Sequence, residues 1–332
     1  MLSIFVCKLI YYLPSQRFLA EEKDIIASNS GNCRFKNIQY IYIFFFFFVN
    51  KMCALVYNFN FIHQASIIKR PSKTSKTPYV ADIILNNDET NTETMGHCPA
   101  LGCCGHADAG CNVLVSTLDG DKKVCSHRVE LAIFTETKHD KDYSVIIGIN
   151  PKLAENIAES CLKADLVKNL INIKSYKREV KFKNSRFDFA GIDSDGVPFI
   201  MEIKNVPLAD YVDVSKKDRK NYTELINNAD FNDKIAYFPD GYRKNKGAVV
   251  SPRALKHIQE LQELVEPGKQ RAILCFVIQR DDASSFQTSN LDPTYKAAVK
   301  EAYENGVEIN VLQLKWTMNG ECYFIRNDLP IN

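Results

Sequence analysis

The chain lacks a surplus of charge of either sign. It holds 42 lysines and arginines against 40 aspartates and glutamates, a net of +2 at pH 7. No global field therefore marks it as a polyanion binder. Residues 1–51 supply that small excess, so any nucleic-acid surface has to be a local basic patch. A bilayer-spanning apolar run is also missing. The apolar stretch from Tyr40 to Val49, with phenylalanine at every position from Phe44 to Phe48, is about half of the ~20 residues a membrane helix needs. No stable membrane association is expected from it. Paired cysteines are lacking too. The eleven cysteines are odd in number and scattered, which does not describe a secreted disulfide framework and fits free thiols in a reducing compartment. Tryptophan occurs once, at Trp316, a residue expected in the core rather than as a base-stacking platform.

What is present describes an ordinary globular protein, 45% hydrophobic and 25% charged, whose 332 residues suffice for two domains. Residues 1–51 differ in composition from the rest and precede a second methionine, Met52. The first thirteen residues are apolar like a signal core, but no small-residue cleavage site follows. Residues 1–51 are expected to lie outside the fold, as a disordered, targeting or untranslated extension. A cytoplasmic or nuclear protein fits this composition, with organelle targeting by residues 1–51 left open.

Between residues 52 and 150 the pattern is short β-runs separated by turn-rich stretches. Strands are predicted at 65–69, 79–85, 112–118, 129–137 and 143–149. Strands this short and this evenly spaced suit a small closed barrel of the OB type, or a fragment of a β-sandwich. From 151 to 332 the order becomes α-β-β-β-α-β-α-β, a mixed sheet flanked by helices. A helix is predicted over 151–173 from its apolar spacing. Strands follow at 179–184, 186–192 and 199–204, the last two joined by the turn Asp193-Ser194-Asp195-Gly196. Residues 207–233 are polar and charged and suggest a mobile loop. Ser251-Pro252 and Asp292-Pro293 have the form of helix starts, Ser or Asp as cap and proline in the first turn. The nearly pure apolar runs 272–278 and 307–314 suggest strands covered on both faces.

The hairpin carries the chemistry. A three-residue loop, 194–196, pairs residues whose numbers sum to 390, so Asp188 falls opposite Glu202, with Lys204 on the same face. A slip of one residue would mix polar and apolar faces. Two opposed carboxylates repel by on the order of 0.2–1 kcal/mol. A divalent cation such as Mg²⁺ or Mn²⁺, held by Asp188 and Glu202, would relieve that repulsion and polarise a phosphoryl oxygen. Lys204 could then stabilise the developing charge. Glu179, on the preceding strand, could supply a further ligand or base. The bland alternative is a solvated ion-pair cluster on an exposed sheet face.

Lys174, Lys177, Arg178, Lys181, Lys183 and Arg186 form a basic stretch beside these carboxylates, and Lys69 and Arg70 are candidates to assist. Such a stripe suits a phosphodiester backbone. Arg253, Lys256 and His257, on the polar side of a predicted helix, could contact phosphate or simply face solvent. His97, Cys98, Cys103, Cys104, His106, Cys111, Cys125 and His127 invite a zinc site. Their closest spacing, Cys98-x4-Cys103, is longer than structural zinc sites prefer, so zinc is not expected.

Several segments resemble one family, the sugar fermentation stimulation (SfsA) proteins. They are Ser185-Arg186-Phe187-Asp188-Phe189, Met201-Glu202-Ile203-Lys204-Asn205-Val206, Tyr237-Phe238-Pro239-Asp240, Lys256-His257-Ile258, Val277-Ile278-Gln279-Arg280 and Asp292-Pro293-Thr294-Tyr295. The resemblance runs from about Ala65 to the C-terminus. It implies DNA binding linked to the regulation of sugar metabolism, and an OB-type domain joined to a PD-(D/E)xK nuclease-like domain. On that resemblance Asp188, Glu202 and Lys204 fall on catalytic positions, and Gln279 on a position that contacts substrate in many relatives of that nuclease fold. Three departures stand out: residues 1–51 have no counterpart, 207–233 is longer than in compact bacterial forms, and the family's His-Cys-Pro-Asn-Thr-Gly loop is here His97-Cys98-Pro99-Ala100-Leu101-Gly102. A metal-dependent nuclease, a DNA-binding regulator without turnover, and a non-enzymatic RNA- or protein-binding module all remain open from the sequence. DNA, single-stranded or structured, is the expected partner. The oligomeric state is open.

Overall fold

Apolar residues that alternate between positions 63 and 148 build the first sheet, as the period of two requires. In the computed structural model, which describes residues 54–86, 92–101, 105–118, 124–182, 185–239 and 249–332, its strands are β2 (His63–Lys69), β3 (Val80–Leu85), β4 (Glu93–His97), β5 (Asn112–Thr117), β6 (His127–Lys138) and β7 (Lys141–Gly148). Their order is β4-β3-β2-β5-β6-β7. β4 also pairs in parallel with β6 through Gly96↔His127 and His97↔Arg128, so β2 to β6 close into a ring. Gly96 permits that closure: a Cβ there would meet Ile83 at 3.2 Å and Val129 at 3.4 Å. Ala65, Ile67, Ile83, Val113, Val115 and Val129 fill the centre. The reading of residues 1–51 falls outside the described residues, as does Lys183.

The second sheet has seven strands in the order β1-β16-β15-β13-β10-β9-β8. They are β1 (Ala54–Asn58), β8 (Ser175–Phe182), β9 (Ser185–Ile192), β10 (Pro198–Val206), β13 (Arg271–Ile278), β15 (Glu308–Trp316) and β16 (Glu321–Arg326). Its centre, β10-β13-β15, is parallel. The parallel strands require crossovers, which run through α3 (Pro252–Leu264) and α4 (Pro293–Glu304). These two helices cover one face. α1 (Pro151–Lys163) covers the other through Leu153, Ile157, Cys161 and Leu162. Covered on both faces, β13 is apolar from Ala272 to Ile278, as its sequence predicted. Trp316 is buried against Tyr57 and Phe59, a core residue as expected. The fold is therefore mixed α/β.

Two expectations fail. The helix predicted over 151–173 ends at Lys163. Asp165 turns left-handed (φ 56°) and Leu166 N–H reaches back to Cys161 O (2.9 Å), a C-terminal closure of the Schellman kind. Leu166, Val167 and Leu170 stay buried, which kept the apolar spacing going past the helix end. The 207–233 segment is not a loose loop either. It contains β11 (Ala209–Asp210), a 3-10 turn (Arg219–Tyr222) and α2 (Thr223–Asn228). β11 pairs with β12 (Lys234–Phe238), which pairs with β14 (Ala283–Thr288) in a third, three-stranded sheet. Buried Asp213 accepts from Gln287 Nε2 (2.7 Å), Ser289 Oγ (3.0 Å) and Asn290 N–H (2.6 Å). Tyr211 donates to Glu136 (3.0 Å), and buried Lys234 pairs with Glu136 and Asp282 at 3.2 Å each. Buried charges demand such partners, and their number pins the segment.

Candidate functional site

The hairpin of β9 and β10 positions the acidic groups. Its turn is held by Asp193, whose carboxylate accepts from Asp195 N–H (3.0 Å) and Val197 N–H (2.8 Å), and by Arg271 (2.8 Å). The pairs Ile192↔Pro198, Gly191↔Phe199, Ala190↔Ile200 and Phe189↔Met201 follow the register deduced from the sequence. Gly191 is needed within it: a Cβ there would lie 2.2 Å from Ser175 O. One residue further the ladder gives way to a side chain. Asp188 Oδ2 accepts the Ile203 N–H at 2.7 Å, which fixes the carboxyl at the point where the strands part.

Glu202 is buried on β10, where Ile200, Glu202 and Lys204 share the α3 side of the sheet. Its Oε1 accepts from Lys204 Nζ (2.6 Å) and from His257 Nδ1, which α3 brings in. Its Oε2 is buried and has no hydrogen-bond partner. Burial pushes the Glu202 pKa up, but the charge of Lys204 and the hydrogen bond from His257 outweigh it and hold the carboxyl below its usual value. Asp188 goes the other way. Burial first, and then the Glu202 charge, raise it to about 7, against the pull of the Ile203 N–H. The two neighbouring acids are thus driven apart in acidity.

A cavity of about 300 Å³ opens onto this group. Asp188, Glu202, Lys204 and Asn205 line it, and α1 and α3 begin at its rim with Pro151 and Ser251. Both helix starts are capped: Asn150 accepts from Lys152 N–H (3.1 Å) and Ser251 from Ala254 N–H (3.2 Å). The positive ends of two helix dipoles therefore meet at the opening, where anions are favoured. A second cleft, of about 470 Å³, shares Arg253 with the first and adds Ser185, Arg186, Pro252, Lys256 and His257.

The structure redistributes the predicted site residues. Asp188, Glu202 and Lys204 come together. Glu179 does not join them: its backbone is left-handed (φ 54°) and its carboxylate pairs with Arg186 (2.6 Å) and Lys152 (3.3 Å). Glu155 of α1 lines the cavity instead, and its charge adds to the rise of the Asp188 pKa. Gln279 is fully buried. It donates to Asn205 Oδ1 (2.6 Å) and accepts from Trp316 (3.1 Å), so it reaches the cavity only through Asn205. It also fills the space beside Gly148, where a Cβ would stand 1.9 Å from Gln279 Oε1.

Of the predicted basic residues, Arg186, Arg253, Lys256 and His257 line the clefts, whereas Lys174, Lys177, Lys181 and Lys69 line neither. Arg178 serves the fold, tied to Glu159 (2.7 Å) and Glu155 (3.3 Å) on α1. Arg70 does likewise, donating to Pro78 O and Ala100 O at 2.8 Å each. His257 is buried rather than solvated and grips Glu202. Its position in the series Ala254, His257, Ile258, Leu261 placed it on the inner face, a signal present in the sequence. Glu155 left a weaker signal, an acid on the first turns of a helix 33 positions from the hairpin. Among the zinc candidates, Cys98 and Cys125 are buried and in no disulfide, and Cys103 and Cys104 lie outside the described residues. Among the described residues no three His, Cys, Asp or Glu side chains converge as a metal cluster.

Two carboxylates plus waters suffice for a hard divalent cation such as Mg²⁺. The unpartnered Glu202 Oε2, beside an Asp188 whose ionisation is opposed by like charge, fits such an ion.

Fold and site together define a mixed α/β protein with two acids and a lysine gathered where a hairpin parts, under the starts of two helices. The model described as the sugar fermentation stimulation protein RE domain matches residues 152–215 and 209–320. The sugar fermentation stimulation protein homolog of Shewanella halifaxensis is 32% identical over 235 residues, 70% of this chain and 83% of that protein. The homolog of Alcanivorax borkumensis is 29% identical over 258 residues, 76% of this chain and 92% of that one. The solved structure of Pyrococcus furiosus SfsA in complex with Ca²⁺ matches with a TM-score of 0.61 at 20% identity, over 84% of this chain and 99% of that one. The chain belongs to the sugar fermentation stimulation protein family. Among the described residues no helix is long and apolar enough to cross a membrane.

Proposed function

We propose that this protein binds DNA and hydrolyses a phosphodiester bond at the Asp188–Glu202–Lys204 group with the help of a divalent cation. The observation that carries this is the buried, unpartnered Oε2 of Glu202, a residue that lines the same cavity as Asp188 and Lys204. A Mg²⁺ or Mn²⁺ ion bound there would polarise a phosphoryl oxygen. Asp188 and Glu202 would hold the ion, and the Ile203 N–H and His257 keep the two carboxylates in place. Lys204 stabilises the charge that develops on the phosphate. Water adds to phosphorus, the ester P–O bond breaks, and the water's protons end on solvent and the leaving oxygen, giving a phosphomonoester and a hydroxyl. Arg186, Arg253 and Lys256 along the second cleft hold the flanking phosphates. The Ca²⁺ complex of the Pyrococcus relative supports a divalent cation. The ring of β2 to β6 supports an OB-type barrel within residues 52–150, and the helix-covered sheet, which β1 joins from that segment, supports a PD-(D/E)xK nuclease-like domain over 151–332.

A DNA-binding regulator without turnover is the second reading. It is favoured by the Lys204–Glu202–His257 contacts, which already engage one carboxylate oxygen and the lysine. Purified protein incubated with single-stranded, double-stranded, flap and RNA–DNA hybrid substrates, with and without Mg²⁺ or Mn²⁺, separates the two. Cation-dependent cleavage that Lys204→Ala abolishes supports the nuclease. Cation-dependent binding with every substrate intact supports the regulator.

A further inference from the structure

The cavity above the carboxylates has more apolar wall than a phosphate needs. Beside the polar Asp188, Glu202, Lys204 and Asn205, with Glu155, Ser251 and Arg253, it is lined by the apolar Ala100, Leu101, Ile149, Pro207 and Phe238. Phe238 is half-buried. Its ring is set by an edge contact with Tyr295 (5.5 Å) and a tilted contact with Phe276 (5.8 Å). Leu101 lines the mouth while 56% exposed. Hydrogen bonds hold its segment, from Arg70 to Ala100 O (2.8 Å) and from Cys98 N–H to Tyr79 O (2.8 Å). An exposed leucine and an aromatic ring thus line the same cavity as the charged groups. Phosphate and sugar are too polar to use such walls, whereas a nucleobase has an apolar π-face that does.

Size and depth narrow the occupant. About 300 Å³ is at the small end of ligand cavities and suits one nucleotide rather than a stacked pair. Glu202 is only 3% exposed at the bottom. A strand has to enter the cavity for its phosphate to reach that depth, and a base inside an intact duplex stays stacked away from these walls. The neighbouring cleft, with Arg186, Arg253 and Lys256, has the charge to take the next phosphate along the strand.

Building on the DNA-directed function above, we infer that the cavity receives one unpaired nucleotide, its base against Phe238 and Leu101 and its phosphate toward Asp188, Glu202 and Lys204. The preferred substrate is therefore DNA that is unpaired at the site of attack: a single strand, a flap or a bubble.

Fluorescence anisotropy of the full chain in Ca²⁺ tests this without requiring turnover. Three probes of equal length are compared: a mixed-sequence single strand, its duplex, and a single strand made wholly of abasic sites. The single strand is expected to bind at least tenfold tighter than either of the others. Phe238→Leu keeps an apolar side chain against Phe276 and Tyr295 but loses the aromatic face. Leu101→Ser changes only an exposed position. Each is expected to weaken the ordinary single strand roughly fivefold or more, the lower end of a base-stacking contribution, and to leave abasic-strand binding unchanged. Equal affinity for the ordinary and abasic strands, or for the single strand and duplex, overturns the base pocket while DNA binding stands. So does a loss that is the same on all three probes in both variants. Failure to bind any of the three probes overturns the DNA reading itself, and the pocket with it.

Discussion

Asp188 is the residue on which the proposed chemistry turns. Its carboxyl is raised to about 7 by burial and by Glu202, so below that pH a proton competes with any cation. Apparent cation affinity is expected to rise about tenfold per pH unit up to pH 7 and to level off above it. Calorimetric titrations between pH 5.5 and 8.5 check this, and a flat profile would contradict it. The sign for stability follows from the same shift. The folded pKa lies above the ordinary 3.8, so the protonated form favours the fold. That stability is complete below the unfolded value and is lost as pH rises through 7. At pH 8 without metal, Asp188→Asn removes a like-charge contact and should stabilise the protein by roughly 1 kcal/mol in urea denaturation. A loss of that size would show that the carboxylate is better partnered than described. Asp188, Glu202 and Lys204 were legible in the sequence because polar and apolar alternation fixed the register of the hairpin. Arg178 and Arg70 were misjudged because a basic residue in a strand looks the same whether it faces DNA or a helix carboxylate. Only the tertiary partners, Glu159 and the Ala100 carbonyl, decide.

At the scale of elements, capped and strongly periodic segments were readable and weakly patterned ones were not. The starts of α3 and α4 at Pro252 and Pro293, and the strands β9, β10, β13 and β15, follow from caps, turn residues and apolar runs. β4 (ETMGH) and β14 (ASSFQT) escaped because their short sequences carry little β-branched or alternating character. β1, β12 and β16 were also missed: β1 is held by β16 and β12 by β14, both distant in sequence, whereas β16 pairs with β15 next to it as well as with β1. The 207–233 segment was the largest misjudgement. Its charges suggested solvent, yet Asp213 is buried under three hydrogen-bond donors and Tyr211 is buried against Glu136. Asp213→Ala leaves three donors without their acceptor. It should lower stability by about 2 kcal/mol and open residues 207–233 to limited proteolysis. Unchanged urea midpoint and cleavage pattern would mean the segment is not anchored there.

At the scale of the molecule, near-neutral net charge leaves the proposed nucleic-acid surface to a few residues. Under that proposal the weight falls on Arg186, Arg253 and Lys256, which line the second cleft, rather than on the lysines in and next to β8. Each phosphate contact removed should lower the slope of log affinity against log salt by roughly 0.7–0.9. Arg186→Ala and Arg253→Ala should each do so. Lys174→Ala and Lys177→Ala should change the slope by much less, and the reverse ranking would restore the stripe along β8 as the binding face. The joining of the two large sheets was not legible at all. It depends on Gly148, where the absence of a side chain lets Gln279 pack and its carbonyl accept the Gly148 N–H at 3.0 Å. A lone glycine at the end of a strand does not announce which residue will fill its space.

The most direct test of the central claim is calorimetric titration of Mn²⁺ into the wild-type chain and into Asp188→Asn, Glu202→Gln and Lys204→Ala, at pH 8. One ion should bind the wild type. Asp188→Asn and Glu202→Gln should lose that binding. Lys204→Ala should retain or tighten it, because the lysine occupies Glu202 Oε1 (2.6 Å) and repels the ion while acting on the phosphate. Equal affinity in all four proteins would contradict the site.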